Sequence, residues 1–588
     1  MCGIAGIMMR DAGRVDSVIL DHLAAALAHR GPDGSGRFIA QTMGLVQTRL
    51  AIVDLAGGAQ PFYDGNGNVL VANGEIYNDP ELRGELSRAI FVTGSDCEVP
   101  LHLYQRHGLR FAEYLRGMYA IALYDPFNSR LVLSRDPFGI KPLYFVETPE
   151  CFAFASEPRA LLAAGLARRS VSSRQRAELM QLKFTTGSAT IFHSIQRVLP
   201  GETLAITDGA ITWRSRRRAL LDSNCPVISY GAALQQLDEV LADSVLHHLR
   251  SDVPYGLFLS SGVDSAALIS LMARFSARPI MAFTASFPGE AEDEREGAQR
   301  IARFVGAQHQ VVEVTERDFW CEAPQLAAAL DDPTTDAATL PTYVLAKAAK
   351  NDVKVVLTGE GGDEMFCGYS RYHRARRLWG VFARKARRRG EFDQISHVNQ
   401  AFNGWRGGLA LTERQETNAR RTFVQTLQAI DCAEWLPNDL LIKVDRCLMA
   451  HGVEGRTPFL DPIVADFSFR LPDWMKATTN ISKRLLRDWL AANLAVAEPY
   501  NRKTGFNPPI GRWIASRQAL IQQLIATHPA ICGIFPKALV TSAFSNLKKR
   551  PQAAWSLLLY ALWHSHHVLE VPADGTIEDV LVAAAKAA

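Results

Sequence analysis

The chain has 588 residues, more than a single hydrophobic core supports, so we expect two large domains. Hydrophobic residues make up 48% and charged residues 21%, as in a soluble globular protein, and a formal charge of +3 gives no reason to expect nucleic acid or a membrane as partner. Nine cysteines without a CxxC pair, and no apolar run long enough to cross a bilayer, favour reduced thiols in a cytoplasmic protein.

The first part of the chain alternates short strand-like runs with turns of glycine, asparagine, aspartate and proline. Strands are predicted at residues 3–8, 43–53, 68–72, 119–124, 130–134 and 143–145. Helices are predicted at residues 16–28 and 96–107. This pattern is typical of an α+β domain dominated by antiparallel sheet. The periodicity fades over residues 204–230, which predicts the last strands of the domain followed by a linker.

The second part alternates helices with short apolar runs, and beyond about residue 371 it is mostly helical. Helices are predicted at residues 232–249 and from about 265, and apolar runs occur at 255–259, 280–286, 301–305, 310–314 and 354–357. This alternation predicts a parallel, doubly wound α/β sheet. The expected segments are a first domain at 2–205, a linker at 206–230, a second domain at 231–530 and a C-terminal helical extension at 531–588.

Cys2 is the first candidate for catalysis. It precedes an apolar run with glycines at residues 3–7, and removal of Met1 would make it the first residue of the mature chain. Its own α-amine, with an ordinary pKa near ~8, could then accept the thiol proton. A cysteine at position 2 is more often incidental, so the hypothesis depends on the motifs that follow.

Five motifs follow Cys2 in the first domain. They are RGPD at 30–33, RLAIVD at 49–54, NGEIYN at 73–78, TGSD at 93–96 and RDPFGIKPLY at 135–144. Together they resemble the glutaminase domain of the class II glutamine amidotransferases. The resemblance implies an N-terminal nucleophile hydrolase fold, in which antiparallel sheets are sandwiched by helices. It also implies a glutamine site formed by Arg49, Leu50, Ala51, Ile52, Val53, Asn73, Gly74, Glu75 and Asp96.

The roles that this resemblance implies match the chemistry of glutamine. Arg49 would hold the carboxylate through two parallel hydrogen bonds, and Asp96 would bind the ammonium group. The Asn73 side-chain amide and the Gly74 backbone N–H would stabilise the oxyanion, a contact worth roughly 3–4 kcal/mol per donor. Taken alone, an Asn-Gly pair between strands predicts only a hairpin turn.

The segment YGLFLSSGVDS at 255–265 predicts a strand, a polar loop and the start of a helix. A helix N-terminus reached by such a loop suits pyrophosphate. The S-x-G-V-D-S pattern resembles the pyrophosphate loop of the ATP-pyrophosphatase superfamily, which implies that Asp264 binds Mg²⁺. Ser261 stands where that family usually has glycine. By the same resemblance, ATP would contact Phe258, Ser260, Ser261, Gly262, Asp264, Ser265, Ala285, Thr358 and Gly359.

A second acidic, glycine-rich turn occurs in VVLTGEGGDE at 355–364. Asp363 is the predicted second Mg²⁺ ligand, because this hard cation takes carboxylate oxygens and substrate phosphates. Glu360 stands where the family places a carboxylate needed to form the acyl-adenylate. A Ca²⁺ loop is the alternative for such a turn, but the EF-hand spacing is absent.

The segments DLLIKVDR at 439–446 and EGRTPFLD at 454–461 resemble the signature of the asparagine synthetase domain. Leu448 and Gly455 depart from it, since Ser or Thr and Ala or Val are expected there. The segment RKTGF at 502–506 resembles the one whose lysine contacts the reacting phosphate, which makes Lys503 a catalytic candidate.

The whole pattern resembles the glutamine-hydrolysing asparagine synthetase family. It implies glutamine, ATP, Mg²⁺ and an acceptor carboxylate, with aspartate as the expected acceptor, and a possible homodimer. Residues 330–341 would form part of the acceptor pocket, although Ala337 replaces an arginine that some members have. The alternatives are amidation of another carboxylate, on a surface sugar or a secondary metabolite, a cyclase of the β-lactam synthetase type, and a non-catalytic descendant. Cys2 argues against the cyclase, because those relatives lack the working cysteine.

Overall fold

A computed structural model describes residues 2–222, 228–290, 294–377, 389–393, 395, 402–501 and 508–587. Within residues 2–222 it contains twelve strands and five α-helices. The strands are β1 Gly3–Met9, β2 Gly34–Ile39, β3 Met43–Arg49, β4 Phe62–Tyr63, β5 Val69–Ile76, β6 Gly117–Asp125, β7 Arg130–Arg135, β8 Tyr144–Glu147, β9 Cys151–Ala155, β10 Gln196–Arg197, β11 Glu202–Thr207 and β12 Ala210–Arg216. The helices are α1 Ser17–Leu27, α2 Asp79–Glu85, α3 Val99–His107, α4 Pro158–Ala163 and α5 Ser173–Leu182.

These strands form two six-stranded antiparallel sheets packed face to face. One sheet has the order β10-β8-β9-β1-β3-β2 and the other β12-β11-β7-β6-β5-β4. Alternate side chains of β1 face opposite sides of its sheet. Ile4 and Met8 pack between the two sheets, whereas Ala5 and Ile7 pack against α1 and α4. The outer face of the second sheet is covered by α3. The predicted arrangement of two antiparallel sheets between helices is confirmed.

One strand of the first domain ends earlier than the sequence predicts, and the last two strands lie close to where they are predicted. β3 ends at Arg49 rather than at residue 53, because the next residues leave the sheet and bond to Asp33 and to Asp252 of the second domain. At the other end, β11 and β12 pair with each other and β11 pairs with β7, so the sheet continues past residue 205 to Arg216, within the stretch 204–230 where the last strands are predicted.

From residue 228 onward the structure contains five strands and eighteen α-helices within the described ranges. The strands are β13 Tyr255–Phe258, β14 Met281–Ser286, β15 Gln308–Glu313, β16 Val355–Leu357 and β17 Glu454–Arg456. The helices are α6 Tyr230–His248, α7 Val263–Phe275, α8 Arg295–Val305, α9 Glu316–Ala329, α10 Thr339–Ala349, α11 Gly362–Met365, α12 Ser370–Arg377, α13 Gly407–Glu416, α14 Phe423–Ile430, α15 Leu441–Met449, α16 Pro462–Arg470, α17 Asp473–Lys476, α18 Arg484–Asn493, α19 Ile510–Ser516, α20 Gln518–Thr527, α21 Lys537–Phe544, α22 Pro551–His567 and α23 Ile577–Ala587. A π-helical turn, Asp431–Leu440, leads into α15.

The five strands form one parallel sheet in the order β15-β14-β13-β16-β17. The chain builds outward from β13 to β15, and then returns to place β16 on the other side of β13. The predicted doubly wound sheet is therefore confirmed, and its topological switch point lies between β13 and β16. Ligands of such sheets bind at the carboxyl ends of the strands beside the switch point.

The C-terminal helices belong to the core of the second domain. α22 packs on α9, and its side chains from Ala553 to Trp563 are buried. Trp555 and Trp563 are among the largest fully buried side chains. Residues 531–588, expected as an extension, therefore include a central helix. Among the described residues, no helix combines the length and the apolar character needed to cross a lipid bilayer.

Candidate active sites

Cys2 lies at the start of β1 beside Asn73 of β5. The Cys2 backbone N–H donates to Asn73 Oδ1 at 3.0 Å, and both residues are buried. The Asn73 Nδ2 atom has no hydrogen-bond partner among the described residues. Buried amide groups are normally satisfied, so this donor is available for an oxygen atom of a ligand. Burial raises the pKa of the Cys2 thiol, so the thiol needs a base to ionise.

Gly74 allows strands β5 and β6 to approach closely at this point. It lies opposite Tyr119 of β6, and a Cβ at Gly74 would come within 2.2 Å of the Met118 carbonyl oxygen. The Gly74 carbonyl accepts the Cys97 thiol at 3.3 Å, which ties β5 to the segment that carries Asp96. The backbone beside Asn73 is thus fixed on both sides.

The two charged residues predicted to bind glutamine are Arg49 at the end of β3 and Asp96, which bonds to β5. Arg49 follows Thr48, which pairs with Gly3, so Arg49 ends β3 next to Cys2. Its Nη1 and Nη2 atoms donate to the Leu55 and Asp54 carbonyls at 3.1 and 2.6 Å. Asp96 is buried and accepts the backbone N–H of Ile76 at 2.5 Å.

Burial changes the charge of the acids in this site. It raises the pKa of Asp96 to about 6, and it raises the pKa of Glu75 well above its ordinary value, with the nearby Asp96 charge adding to the effect. Glu75 also lies 3.3 Å from Arg456 of β17, so this acid contacts the second domain. The Ile76 N–H and the charges of Arg250 and Arg456 act against burial and lower the pKa of Asp96.

Asp33 of the first domain and Asp252 of the second domain hold the segment that comprises Leu50, Ala51, Ile52 and Val53. Asp33 Oδ2 accepts the Ala51 N–H at 2.8 Å, and the Ile52 carbonyl accepts the Asp252 N–H at 3.0 Å. Leu50 and Ile52 are buried. These residues form a fixed loop beside Arg49 at the domain boundary.

In the second domain, a cavity of about 560 Å³ opens at the carboxyl ends of β13 and β16, where the doubly wound topology predicts a ligand site. Every described residue that the sequence analysis predicts to bind ATP or Mg²⁺ lines this cavity. They are Phe258, Ser260, Ser261, Gly262, Asp264, Ser265, Ala285, Thr358, Gly359 and Asp363, and Glu360 lies with them. The Thr358 hydroxyl is buried without a partner among the described residues.

The loop before α7 is held by its own serines. Ser265 Oγ accepts the Ser260 N–H at 3.1 Å, and Ser260 Oγ accepts the Gly262 N–H at 3.0 Å. The Ser261 side chain, which departs from the family pattern, lies against Gly297 of α8, where a Cβ would come within 2.7 Å of it. Gly297 therefore provides the space that Ser261 requires.

Asp264 and Asp363 lie on opposite sides of the Lys483 ammonium group. Lys483 Nζ is 2.5 Å from Asp363 Oδ1 and also contacts Asp264 Oδ2. Glycines make this approach possible, because a Cβ at Gly362 would lie 2.6 Å from Asp264 Oδ1 and one at Gly368 would lie 1.7 Å from Asp363 Oδ1. Two carboxylates that share one cation in this cavity fit the donor set that Mg²⁺ prefers.

Glu360 is held at the cavity wall by Lys443 of α15. Lys443 Nζ lies 3.3 Å from Glu360 Oε1 and 3.5 Å from Asp336 Oδ2. Lys443 is buried, and the neighbouring acids hold its pKa above the ordinary value against the effect of burial. This end of the cavity thus presents a buried cation between two acids.

The two residues that depart from the synthetase signature, Leu448 and Gly455, lie next to each other in the structure. A Cβ at Gly455 would lie 2.8 Å from Val444 Cγ1 and 3.2 Å from Leu448 Cδ2. Leu448 is buried and fills the space that a side chain at position 455 would need. The departures therefore compensate each other.

The sequence matches known families over nearly its whole length. The glutamine amidotransferase domain family matches residues 1–217, and the asparagine synthase family matches residues 236–565.

The chain belongs to the asparagine synthase family. Membership makes it an enzyme of the ligase class. It is 30% identical to glutamine-hydrolyzing asparagine synthetase 1 of Bacillus subtilis (strain 168), over 97% of both chains. It is also 30% identical to asparagine synthetase B of Escherichia coli (strain K12), over 90% of this chain and 86% of that protein. A putative asparagine synthetase of Mycobacterium tuberculosis (strain H37Rv) matches at 30% identity, over 96% and 97% of the two chains.

In this asparagine synthase family member the two domains are joined by buried charges. Arg30 Nε donates to the Cys2 carbonyl at 3.2 Å, and its Nη1 and Nη2 atoms donate to Asp445 of α15 at 2.8 and 3.0 Å. Both side chains are buried. Arg30 lies in the RGPD motif and Asp445 in the DLLIKVDR motif, so conspicuous segments of the two domains contact each other directly.

Lys483 is the functional candidate that sequence reasoning missed, since it lies before α18 without a motif of its own. Lys503, the lysine that was predicted to contact phosphate, lies outside the described residues.

Proposed function

We propose that this enzyme makes asparagine from aspartate, with glutamine as the nitrogen donor and ATP converted to AMP and pyrophosphate. The observation that carries the proposal is the presence in one chain of a cysteine beside an unpartnered buried amide and of a cavity with two acids around one cation. The similarity to asparagine synthetases over most of the chain supports the same activity.

In the first domain, the Cys2 thiolate would attack the side-chain carboxamide carbon of glutamine. After removal of Met1, the α-amine would accept the thiol proton and pass it to the departing ammonia. Asn73 Nδ2, together with the Gly74 N–H, would donate to the oxyanion of the tetrahedral intermediate. Water would then hydrolyse the thioester, releasing glutamate and restoring the thiol.

In the second domain, an oxygen of the acceptor carboxylate would attack the α-phosphorus of ATP, and pyrophosphate would leave. The residues present fit Mg²⁺ between Asp264 and Asp363, where it would neutralise phosphate charge. The N-terminus of α7 and Lys483 would bind the phosphates from the protein side. Ammonia would then attack the acyl carbon of the adenylate, lose a proton, and displace AMP.

Charge at the Glu360 end of the cavity supports an α-amino acid as the acceptor. Lys443 offers a cation and Asp336 an anion within 3.5 Å of each other. The α-carboxylate and the α-ammonium of aspartate bring the complementary pair, whereas a sugar acid brings a carboxylate alone.

The test is product analysis. Enzyme, glutamine, ATP, Mg²⁺ and aspartate should yield asparagine, glutamate, AMP and pyrophosphate in equal amounts. Cys2→Ala should abolish synthesis from glutamine and retain synthesis from ammonium chloride. Pyrophosphate release that requires a different acid would remove aspartate, and equal glutaminase activity in wild type and Cys2→Ala would remove the role of Cys2.

A further inference from the structure

The loop between α9 and α10 forms one wall of the synthetase cavity, yet residues of the glutaminase domain hold it. Ala338, its last residue, and Thr342, in the first turn of α10, line the cavity. Asp336 lies 3.5 Å from Lys443, which contacts Glu360. The position of this loop therefore sets the acceptor end of the site.

The strongest of these contacts is an arginine–carboxylate fork across the domain boundary. Arg197 of β10 donates from Nε and Nη2 to the two oxygens of Asp332, at 2.7 and 2.8 Å. The Tyr144 hydroxyl donates to Asp332 Oδ2 at 2.9 Å. Arg197 is 2% exposed and Asp332 is fully buried. A bidentate pair in such surroundings fixes orientation as well as distance.

Two other residues of the glutaminase domain, Arg159 and Lys183, also bond to this loop. The Arg159 backbone N–H donates to Asp331 Oδ2 at 2.9 Å, and the Thr335 N–H donates to the Lys183 carbonyl at 2.9 Å. Arg446, from the second domain itself, donates to Asp331 Oδ1 at 2.7 Å. The second domain also bonds to Thr334 through Asp439 and to Thr335 through Ser556 and Gln552, so both domains hold residues 331–335. However, the partners of the buried Asp332 carboxylate, Arg197 and Tyr144, come from the glutaminase domain.

We propose that Arg197 is a positioning residue for the acceptor end of the synthetase site, acting through Asp332 on the loop that carries Asp336. It touches no substrate. The inference rests on the proposed function, because it assigns the acceptor to this end of the cavity. It goes further by making the glutaminase domain a structural part of the other active site.

The test is ammonia-dependent synthesis by the full chain, with Arg197→Met and Arg197→Lys. The KM for the acceptor should rise by about tenfold or more in Arg197→Met, since small displacements of a positioning group have effects of this order. Arg197→Lys, which keeps the charge but loses the fork, should fall between Arg197→Met and wild type. The KM for ATP and the glutaminase kcat/KM should stay within about twofold.

Arg116→Met is the matched control. Arg116 also crosses the boundary and donates to both oxygens of Asp461, at 3.1 and 2.9 Å, but neither residue lines the cavity. It should leave the acceptor KM unchanged. Glutaminase activity reports whether each variant is folded.

An unchanged acceptor KM in Arg197→Met, or an equal rise in the KM for ATP, would overturn the assignment. The assay uses whichever acid supports pyrophosphate release, so an acceptor other than aspartate contradicts the proposed function without touching this one.

Discussion

Asn73 offers the sharpest quantitative prediction, because its two amide atoms have separate tasks. Oδ1 accepts the Cys2 N–H at 3.0 Å, and Nδ2 has no partner among the described residues. Asn73→Ala removes one oxyanion donor, which is worth about 3–4 kcal/mol, so the glutaminase kcat should fall by about 10²–10³. The KM for glutamine should change much less, because this hydrogen bond forms fully only in the transition state.

The assay is glutamate release from glutamine, with ammonia-dependent synthesis as the internal control. The ammonia reaction should keep its wild-type rate, since Asn73 lies in the other domain from the ATP cavity. Asn73→Asp retains the size and an acceptor for the Cys2 N–H but loses the amide donor, and it should be as slow as Asn73→Ala. A loss below about tenfold in both variants would refute the assignment of Nδ2 to the oxyanion.

Three further predictions concern charge and packing. With the pKa of Asp96 raised by burial to about 6, the carboxylate protonates below that pH, so kcat/KM for glutamine should fall on acidification, while ammonia-dependent synthesis compared at a constant concentration of free NH3 should not follow it; a flat glutamine profile would contradict the role of Asp96. Lys483→Met removes the cation between the two aspartates, so Mn²⁺ measured by electron paramagnetic resonance should bind the nucleotide-free variant more tightly than wild type; equal binding would be the contrary result. Gly455→Ala should destabilise by about 1–3 kcal/mol through overpacking, and adding Leu448→Ala should cost less than its effect alone; strict additivity of thermal shifts would show that the two side chains do not share the space.

Most of the fold follows from local patterns in the sequence. β1 and β6 have alternating or continuous apolar residues that a strand buries, and the alternation of helices with apolar runs fixes the parallel sheet. β17 was missed because Glu454, Gly455 and Arg456 have no strand pattern. Their charges are buried in contacts with each other and with Glu75 of the other domain, which no local window of sequence contains.

The site residues that local sequence patterns predict differ from those they miss in how far along the chain their partners lie. Asp264 and Asp363 stand in glycine-rich motifs whose spacing reflects close backbone approach, so the sequence points to them directly. Lys483 and Arg197 act through partners far along the chain. A single lysine or arginine gives no sign of the carboxylate that it meets, so only the three-dimensional structure identifies these residues.

The burial of α22 against α9 affects how the polypeptide can be made. Gln325 Nε2, near the end of α9, bonds to the Ala573 carbonyl 248 residues later. The glutaminase half closes its sheets by Arg216, so ribosomal synthesis can deliver it as a finished unit first. The second domain cannot complete its core until α22 leaves the ribosome, and until then the apolar side of α9 stays exposed. We expect chaperones to bind the nascent chain mainly during that interval.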